Sequence, residues 1–348
     1  MERFTAGVQV AGVRTENGEE EKALALESLT GKVEPGDEVV LNTTAVELGL
    51  GSGGYHFVLW NLARDRLDAP GSGHIMKLRY TPLQFNVEAV EERLSGNRGP
   101  LHETLAGMPV IAGSLHSQLL PAAFAYHRER PRSRLVYVMT DGGSLPIAFS
   151  RTVERLKEDG LIYQTITTGH AFGGDHESVS LFGALDAARN LCGADAAIVL
   201  MGPGIVGTGS ALGFTGMEQA VAINATASLG GSPIAIARIS FADRRARHQG
   251  LSHHTMNSLG CGTCVGSLVA IPRLEGEKAA LIREQLEAEG LGRRHRIVEV
   301  DTGGVLEEMS RLGYHPTVMG RTPDEDPEFF AAACAAGLVA AGMEGNWK

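Results

Sequence analysis

The sequence predicts an α/β fold: a doubly wound, mostly parallel sheet with helices on both faces, preceded by a small β-rich, barrel-like N-terminal domain. Three observations carry this expectation. From residue 108 onward, apolar runs of strand length begin about thirty residues apart, the length of a βα unit. These runs are apolar throughout instead of alternating, as parallel strands covered on both faces require. Before residue 82 the pattern differs, with short strand-like runs separated by Gly, Pro and acidic residues. The expected division is a β-rich domain over 1–81, a linking segment over 82–107 and the α/β domain over 108–348.

The N-terminal strand candidates are "AGVQVAGVR", "KALALES", "DEVVLNTT", "YHFVLW" and "HIMKLRY". "VEPGDEVVL" (33–41) reads as a turn feeding a strand, and "ELGLGSGGYHF" (47–57) is too glycine-rich for anything but a shaped loop. This region fits a small β-barrel or sheet. In the linking segment, "NVEAVEERL" is a short amphipathic helix and "SGNRGP" (95–100) a turn.

The strands of the α/β domain are expected at "MPVIAG" (108–113), "LVYVMT" (135–140), "LIYQTIT" (161–167) and "AAIVLM" (196–201), then "PIAIARIS" (233–240), "VGSLVAI" (265–271) and "RIVEV" (296–300). Between them, Leu145, Phe149, Val153 and Leu156 recur at helical spacing, as do Leu181, Leu185, Ala188 and Cys192. Gly160 and Gly193 follow as C-caps.

Composition narrows the function. The chain of 348 residues has a net charge of −10, which repels phosphate backbones and disfavours nucleic-acid binding. The 45 glycines and an aromatic share of 5 % suit tight βα turns, not an aromatic-lined nucleic-acid surface. They also fit a homodimer, so a homo-oligomer is expected. The first ten residues lack the pattern of a signal peptide, and no apolar run is long enough for a membrane span; no membrane association and a cytoplasmic location are expected. Cys192, Cys261, Cys264 and Cys334 are too scattered for a disulfide framework. "CGTC" (261–264) has no second pair for a zinc ribbon and runs into a strand, so two small buried residues are expected there. "GRRHR" (292–296) reads as solvated surface and "RRARH" (244–248) as a holder for a small anion.

In an open parallel sheet, ligands bind beyond the carboxyl ends of the strands. The segments expected there are "SLHSQ" (114–118), "DGGSLP" (141–146), "GHAFGGDHE" (169–177), "GPGIVGTGSALGFTG" (202–216) and "FADRRARHQGLSHH" (241–254). Six of the twelve histidines fall in them: His116, His170, His176, His248, His253 and His254.

In "DGGSLP", Gly142 and Gly143 turn the chain, Ser144 is expected to cap a helix and Pro146 to sit in its first turn. The amides there would suit an anion, or the segment is a βα turn without a ligand. Asp141 is a candidate acid/base. "GPGIVG" supplies Gly202, Gly204 and Gly207 in the G-x-G-x-x-G spacing of a dinucleotide site. Glycines continue through Gly216, and no acidic residue stands about twenty positions on, so a flexible anion loop including Thr208 is favoured over a dinucleotide.

His170, His176 and Asp175 are candidate ligands for a divalent metal. Against that, Asp175 is well placed as N-cap of the helix bearing Leu181 and Leu185, and Glu177 would complement its dipole. Those roles leave His170 and His176 as catalytic candidates with or without a metal. Arg244, Arg247, His248 and His253, with His116, are ligand-binding candidates.

"VVLNTTAVELGLGSGGYHFVLW", "HIMKLRYTPLQ", "GHAFGGDHES", "MGPGIVGTGSALGFTGMEQA", "RISFADRRARHQGLSHHT" and "MGRTPDEDPEFFAAACAAG" resemble a bacterial family, the domain of unknown function 3866, over about residues 33 to 340. The resemblance implies no activity. It implies that the glycine- and histidine-bearing loops belong to the family pattern. The leading functional expectation is an enzyme acting on a small anionic molecule by hydrolysis or group transfer. A non-catalytic metabolite-binding or scaffold protein and a dinucleotide-dependent enzyme are the alternatives.

Overall fold

The computed structural model describes residues 2–66, 71–94 and 101–343. The turn expected at 95–100 lies outside the described residues. Two compact units are present: Met1–Glu88 with Ala148–Arg155, and Ala89–Ile147 with Leu156–Lys348.

The first unit is built on a mixed five-stranded sheet. Its strands are β1 (Glu2–Thr5), β2 (Val8–Arg14), β3 (Glu20–Leu26), β4 (Val39–Asn42) and β5 (His56–Asn61), in the order β1-β2-β3-β5-β4. Only β3 and β5 pair in parallel. The strand period of two divides its apolar residues between two clusters. Ala11, Ala23, Ala25, Val33 and Val58 form one, and Val8, Val10 and Leu24 the other, with Phe4, Phe57 and Phe149 packed against it. Of the two forms the sequence allowed, the region is a sheet. A separate hairpin joins β6 (Ile75–Lys77) to β7 (Phe85–Val87).

The second unit holds eight parallel strands: β8 (Pro109–Ala112), β9 (Leu135–Thr140), β10 (Gln164–Thr168), β11 (His176–Ser178), β12 (Ala196–Met201), β13 (Ser232–Ile236), β16 (Leu268–Pro272) and β17 (Arg296–Val300). Between β13 and β16 lies a small antiparallel pair, β14 (Ile239–Ser240) with β15 (Gly250–Leu251). The order across the large sheet is β11-β10-β9-β12-β8-β13-β16-β17. Helices Leu181–Asn190 and Glu218–Ser228 pack together on one face, over Val110, Ala112, Val136, Val138, Ala197 and Val199. Helices Leu119–Glu129, Val305–Arg311 and Pro327–Met343 pack together on the other. The sheet is therefore doubly wound, as expected. Gly337 lets the last of these helices approach Leu119–Glu129 closely; a Cβ there would lie 2.3 Å from the Ala122 carbonyl.

Chain order locates the crevice. The helix after β8 leaves toward one face, whereas the helix after β12, its neighbour, leaves toward the other. Strand β13, on the other side of β8, is reached through that second helix. Where adjacent connections part to opposite faces, a gap opens at the carboxyl ends of the strands.

Several local expectations are corrected. The run 233–240 breaks at Ala237–Arg238 into β13 and β14, because a buried arginine interrupts it. Strand β11 is an addition: His176–Ser178 pairs in parallel with Ile166–Thr168 at the sheet edge. Its presence displaces Asp175 from the capping role, and Ser180 caps helix Leu181–Asn190 by accepting from the Gly183 amide. Likewise Ser150, not Ser144, caps helix Arg151–Glu158, accepting from the Val153 amide at 3.1 Å. Leu145 stays in the preceding turn, where its carbonyl accepts from the Phe172 amide. Gly160 and Gly193 do adopt positive φ after their helices (74° and 64°). Cys261 and Cys264 are exposed free thiols, not buried residues, because a π-helical turn over Ser258–Gly262 carries Cys261 to the surface. In 292–296, His295 is buried, its Nδ1 lying 2.9 Å from Ser267 Oγ.

Candidate functional site

The loops after β9 and β12 interlock first. The Ser144 amide donates to the Pro203 carbonyl at 2.7 Å. A Cβ on Gly143 would fall 2.3 Å from the Gly202 carbonyl, and one on Gly202 2.4 Å from that of Ser144. These glycines are thus required by two backbones in contact. Gly142 is required by a side chain: its Cβ would meet the Glu218 carboxyl group at 2.5 Å.

Glu218 opens helix Glu218–Ser228 and accepts a hydrogen bond from Thr140 Oγ1 at the end of β9. Partial burial raises its pKa above 4.5, and the neighbouring Asp141 charge raises it further. Asp141 itself is exposed and accepts from the His170 amide at 2.9 Å. Two carboxyl groups in unlike environments therefore flank Gly142, one partly buried with a raised pKa and one exposed.

His116 follows β8. Its Nδ1 lies 3.3 Å from the Met201 carbonyl, which can only accept, so Nδ1 carries the proton and Nε2 presents a lone pair. Burial pushes its pKa down to about 4, against the pull of the Met201 carbonyl, so the ring is neutral near pH 7. Tyr137 Oη lies 3.3 Å from the same Nδ1 and donates to the Met201 carbonyl at 3.2 Å.

Segment 202–216 folds back on itself as a hairpin. Gly207 and Phe214 form an antiparallel bridge, and the Thr208 amide donates to the Gly213 carbonyl at 2.8 Å. Gly204 and Gly209 adopt positive φ (96° and 82°). No helix follows Gly207 directly, so the pyrophosphate-binding turn of a dinucleotide site is not formed.

The base of this hairpin touches the segment after β13. The Phe214 ring stacks on His254 with centroids 3.9 Å apart. His248, His253 and His254 present nitrogens that all lie within 4.8 Å of one another. Beneath them is a buried ion network. Asp243 accepts from Arg245 at 2.7 Å and lies 3.5 Å from Arg238 and 3.7 Å from Arg321. Asp326 pairs with Arg321 at 3.0 Å and accepts from Ser240. Hydrogen bonds from Arg245 hold the Asp243 carboxyl far below its ordinary range. Burial, and then the charge of Arg238, push His248 to about 3 and His254 lower still. The three rings are therefore neutral near pH 7.

The expected metal set is not assembled. Among the described residues, the one group of three or more ligating side chains at metal distance is His248, His253 and His254. Asp175 is consumed structurally, accepting from the Thr165 amide at 2.8 Å and pairing with Lys157 at 2.5 Å. Glu177 accepts from Thr167 Oγ1 and the Gly173 amide, both at 2.7 Å. His176 stands opposite Ile166 inside β11, short of the rim, whereas His170 reaches it through Asp141. Of the other candidates, Arg244 and Arg247 are exposed in the loop containing the 3₁₀ turn Ala246–His248.

Three residues that the sequence did not single out complete the arrangement: Glu218, Arg238 and Gln219. Buried Gln219 donates to the carbonyls of Ala112 and Ile236 at 2.9 and 2.8 Å, tying the ends of β8 and β13 together. A charged residue inside the apolar run "PIAIARIS" was the available signal for Arg238. Two cavities lie elsewhere. One of about 440 Å³ is floored by Ile271, Leu274, Ile282, Leu286 and Ile297, and one of about 1120 Å³ lies in the first unit. The neutral imidazoles and the two carboxyl groups all follow the carboxyl ends of β8, β9, β12 and β13.

The family's sequence profile, a protein of unknown function (DUF3866), matches residues 22–337. The chain belongs to that family. No curated protein and no solved structure matches it. No helix among the described residues is long and apolar enough to cross a membrane.

Proposed function

We propose that this DUF3866 protein is an enzyme acting on a small anionic molecule by hydrolysis or group transfer, with its pocket at the carboxyl ends of β8, β9, β12 and β13. One observation carries the reading: Glu218, its proton affinity raised, stands across Gly142 from the exposed Asp141. In this reading Glu218 delivers a proton to a leaving group, and Asp141 orients or deprotonates the attacking group. His116 lines the wall as a neutral ring. His170 contributes through the amide that fixes Asp141, and the glycines of 142–143 and 202–207, with Ser144 and Thr208, shape the wall.

The test is a screen of phosphate and carboxylate esters with the wild-type chain and Glu218→Gln. Turnover that falls at least a hundredfold in the variant supports the assignment, that being the low end of a general acid's contribution. Equal turnover removes Glu218 from the chemistry. A metabolite that stabilises the protein without being converted favours the binding-protein alternative, with about 2.7 kcal/mol expected at a hundredfold excess over Kd.

A further inference from the structure

We propose that His248, His253 and His254, with Arg238 and Arg247, form a binding site for a phosphate group that retains a dissociable proton, as in inorganic phosphate near neutral pH or a phosphomonoester below its second pKa of about 6. Ring centroids in the cluster lie 4.7, 4.9 and 4.4 Å apart, a geometry that at first suggests a divalent metal. The hydrogen bonds behind the rings decide otherwise. His253 Nδ1 lies 3.2 Å from the Arg247 carbonyl, so Nδ1 donates and Nε2 carries a lone pair. His254 Nδ1 lies 2.9 Å from an Arg238 guanidinium nitrogen, which can only donate, so Nδ1 accepts and Nε2 carries the proton. A dication needs lone pairs from its ligands and outer partners that accept from them. His254 offers an N–H instead, with a cation behind it.

The charge balance agrees. Around buried Arg238, the exposed Arg245 and half-buried Arg321 face Asp243 and Asp326, with exposed Glu325 beside Arg321, and exposed Arg247 adds a further cation. Arg238 is 2 % exposed, yet its Nε has no hydrogen-bond partner among the described residues. Arg247 reaches the glycine hairpin, where a guanidinium nitrogen lies 3.8 Å from the position a Cβ would take at Gly209. The site thus presents donors (His254 Nε2 and Arg247) beside an acceptor (His253 Nε2). A protonated phosphate offers acceptor oxygens and one O–H, matching both. Carboxylate and sulfate offer acceptors only. His248 completes the wall, its Nδ1 2.6 Å from Ser252 Oγ.

As the seat of a substrate's anionic group, this site rests on the proposed enzyme reading; as a binding site it is tested without turnover. Calorimetry on the full chain uses inorganic phosphate, sulfate and zinc chloride as separate titrants. One phosphate per chain is expected, with sulfate at least tenfold weaker and no stoichiometric zinc. Arg247→Ala and His253→Ala change an exposed and a partly exposed side chain, so both should melt as the wild type does while losing phosphate affinity at least tenfold. Sulfate binding as tight as phosphate, stoichiometric zinc, or no phosphate binding overturns the proposal. Phosphate binding with no ester turned over in the screen retains the site and removes the enzyme reading.

Discussion

Two adjacent glycines should respond unequally to the same substitution. Neither Gly142 nor Gly143 has positive φ, so alanine is compatible with both backbones and only contacts decide the outcome. At Gly143 the new methyl would lie 2.3 Å from the Gly202 carbonyl and 2.9 Å from that of Pro203, which belong to a strand end that cannot easily move. Overpacking of that kind costs about 1–3 kcal/mol. At Gly142 it would meet only the Glu218 carboxyl group, the far end of a flexible side chain. Swinging that group away loses the Thr140 hydrogen bond, about 1 kcal/mol. Restricting the unfolded chain offsets roughly 0.4–1 kcal/mol of this. With that offset at both positions, thermal midpoints should fall by up to about 10 °C in Gly143→Ala and change little in Gly142→Ala, at ~2–4 °C per kcal/mol for a domain of this size. Gly142→Ala should instead return the Glu218 pKa toward the ordinary carboxylate range, read by NMR titration of the side-chain carboxyl carbon. Equal melting of the two variants would refute the packing argument. An unchanged Glu218 titration would refute its placement beneath Gly142.

Other outcomes follow from the same geometry. Burial raises the Glu218 pKa, so its ionisation opposes folding; Glu218→Gln should gain stability relative to wild type as pH rises above 4.5, read from melts across pH. Asp243 shows the opposite sign. Its depressed pKa contributes stability above 3.8 that is lost on acidification. Asp243→Asn, which leaves buried Arg238 without its carboxylate, should cost about 3 kcal/mol or more near neutral pH and progressively less in acid. Gly337→Ala should destabilise by about 1–3 kcal/mol through the helix contact at Ala122, seen as a lower melting midpoint. Of the four free thiols, Cys261 and Cys264 should react with a thiol reagent in the folded protein. Cys192, which burial pushes up to about 11, and buried Cys334 should react only on unfolding.

The doubly wound sheet was legible because strands buried on both faces must be apolar along their whole length, and their spacing records the crossovers. Strand β11 was not, because "HES" has three polar residues and becomes a strand only by pairing with Ile166–Thr168. Asp175 looked like a cap because Ser180, the actual cap, stands five residues later, and only β11 explains the gap. The convergence of loops on the rim was readable from topology. Glu218 was not, since an acid in the first turn of a helix is ordinary in sequence; folding brings it under Gly142. Arg238 had a signal that periodicity hides. A guanidinium within an apolar run must find buried partners, here Asp243 and His254.

The claim that the functional pocket is the carboxyl rim is tested most directly by hydrogen exchange with and without inorganic phosphate. Added phosphate should slow exchange in 202–216 and 238–254 and leave the groove lined by 271–299 unchanged. Protection confined to that groove or to the first unit, with the rim unaltered, would contradict the account.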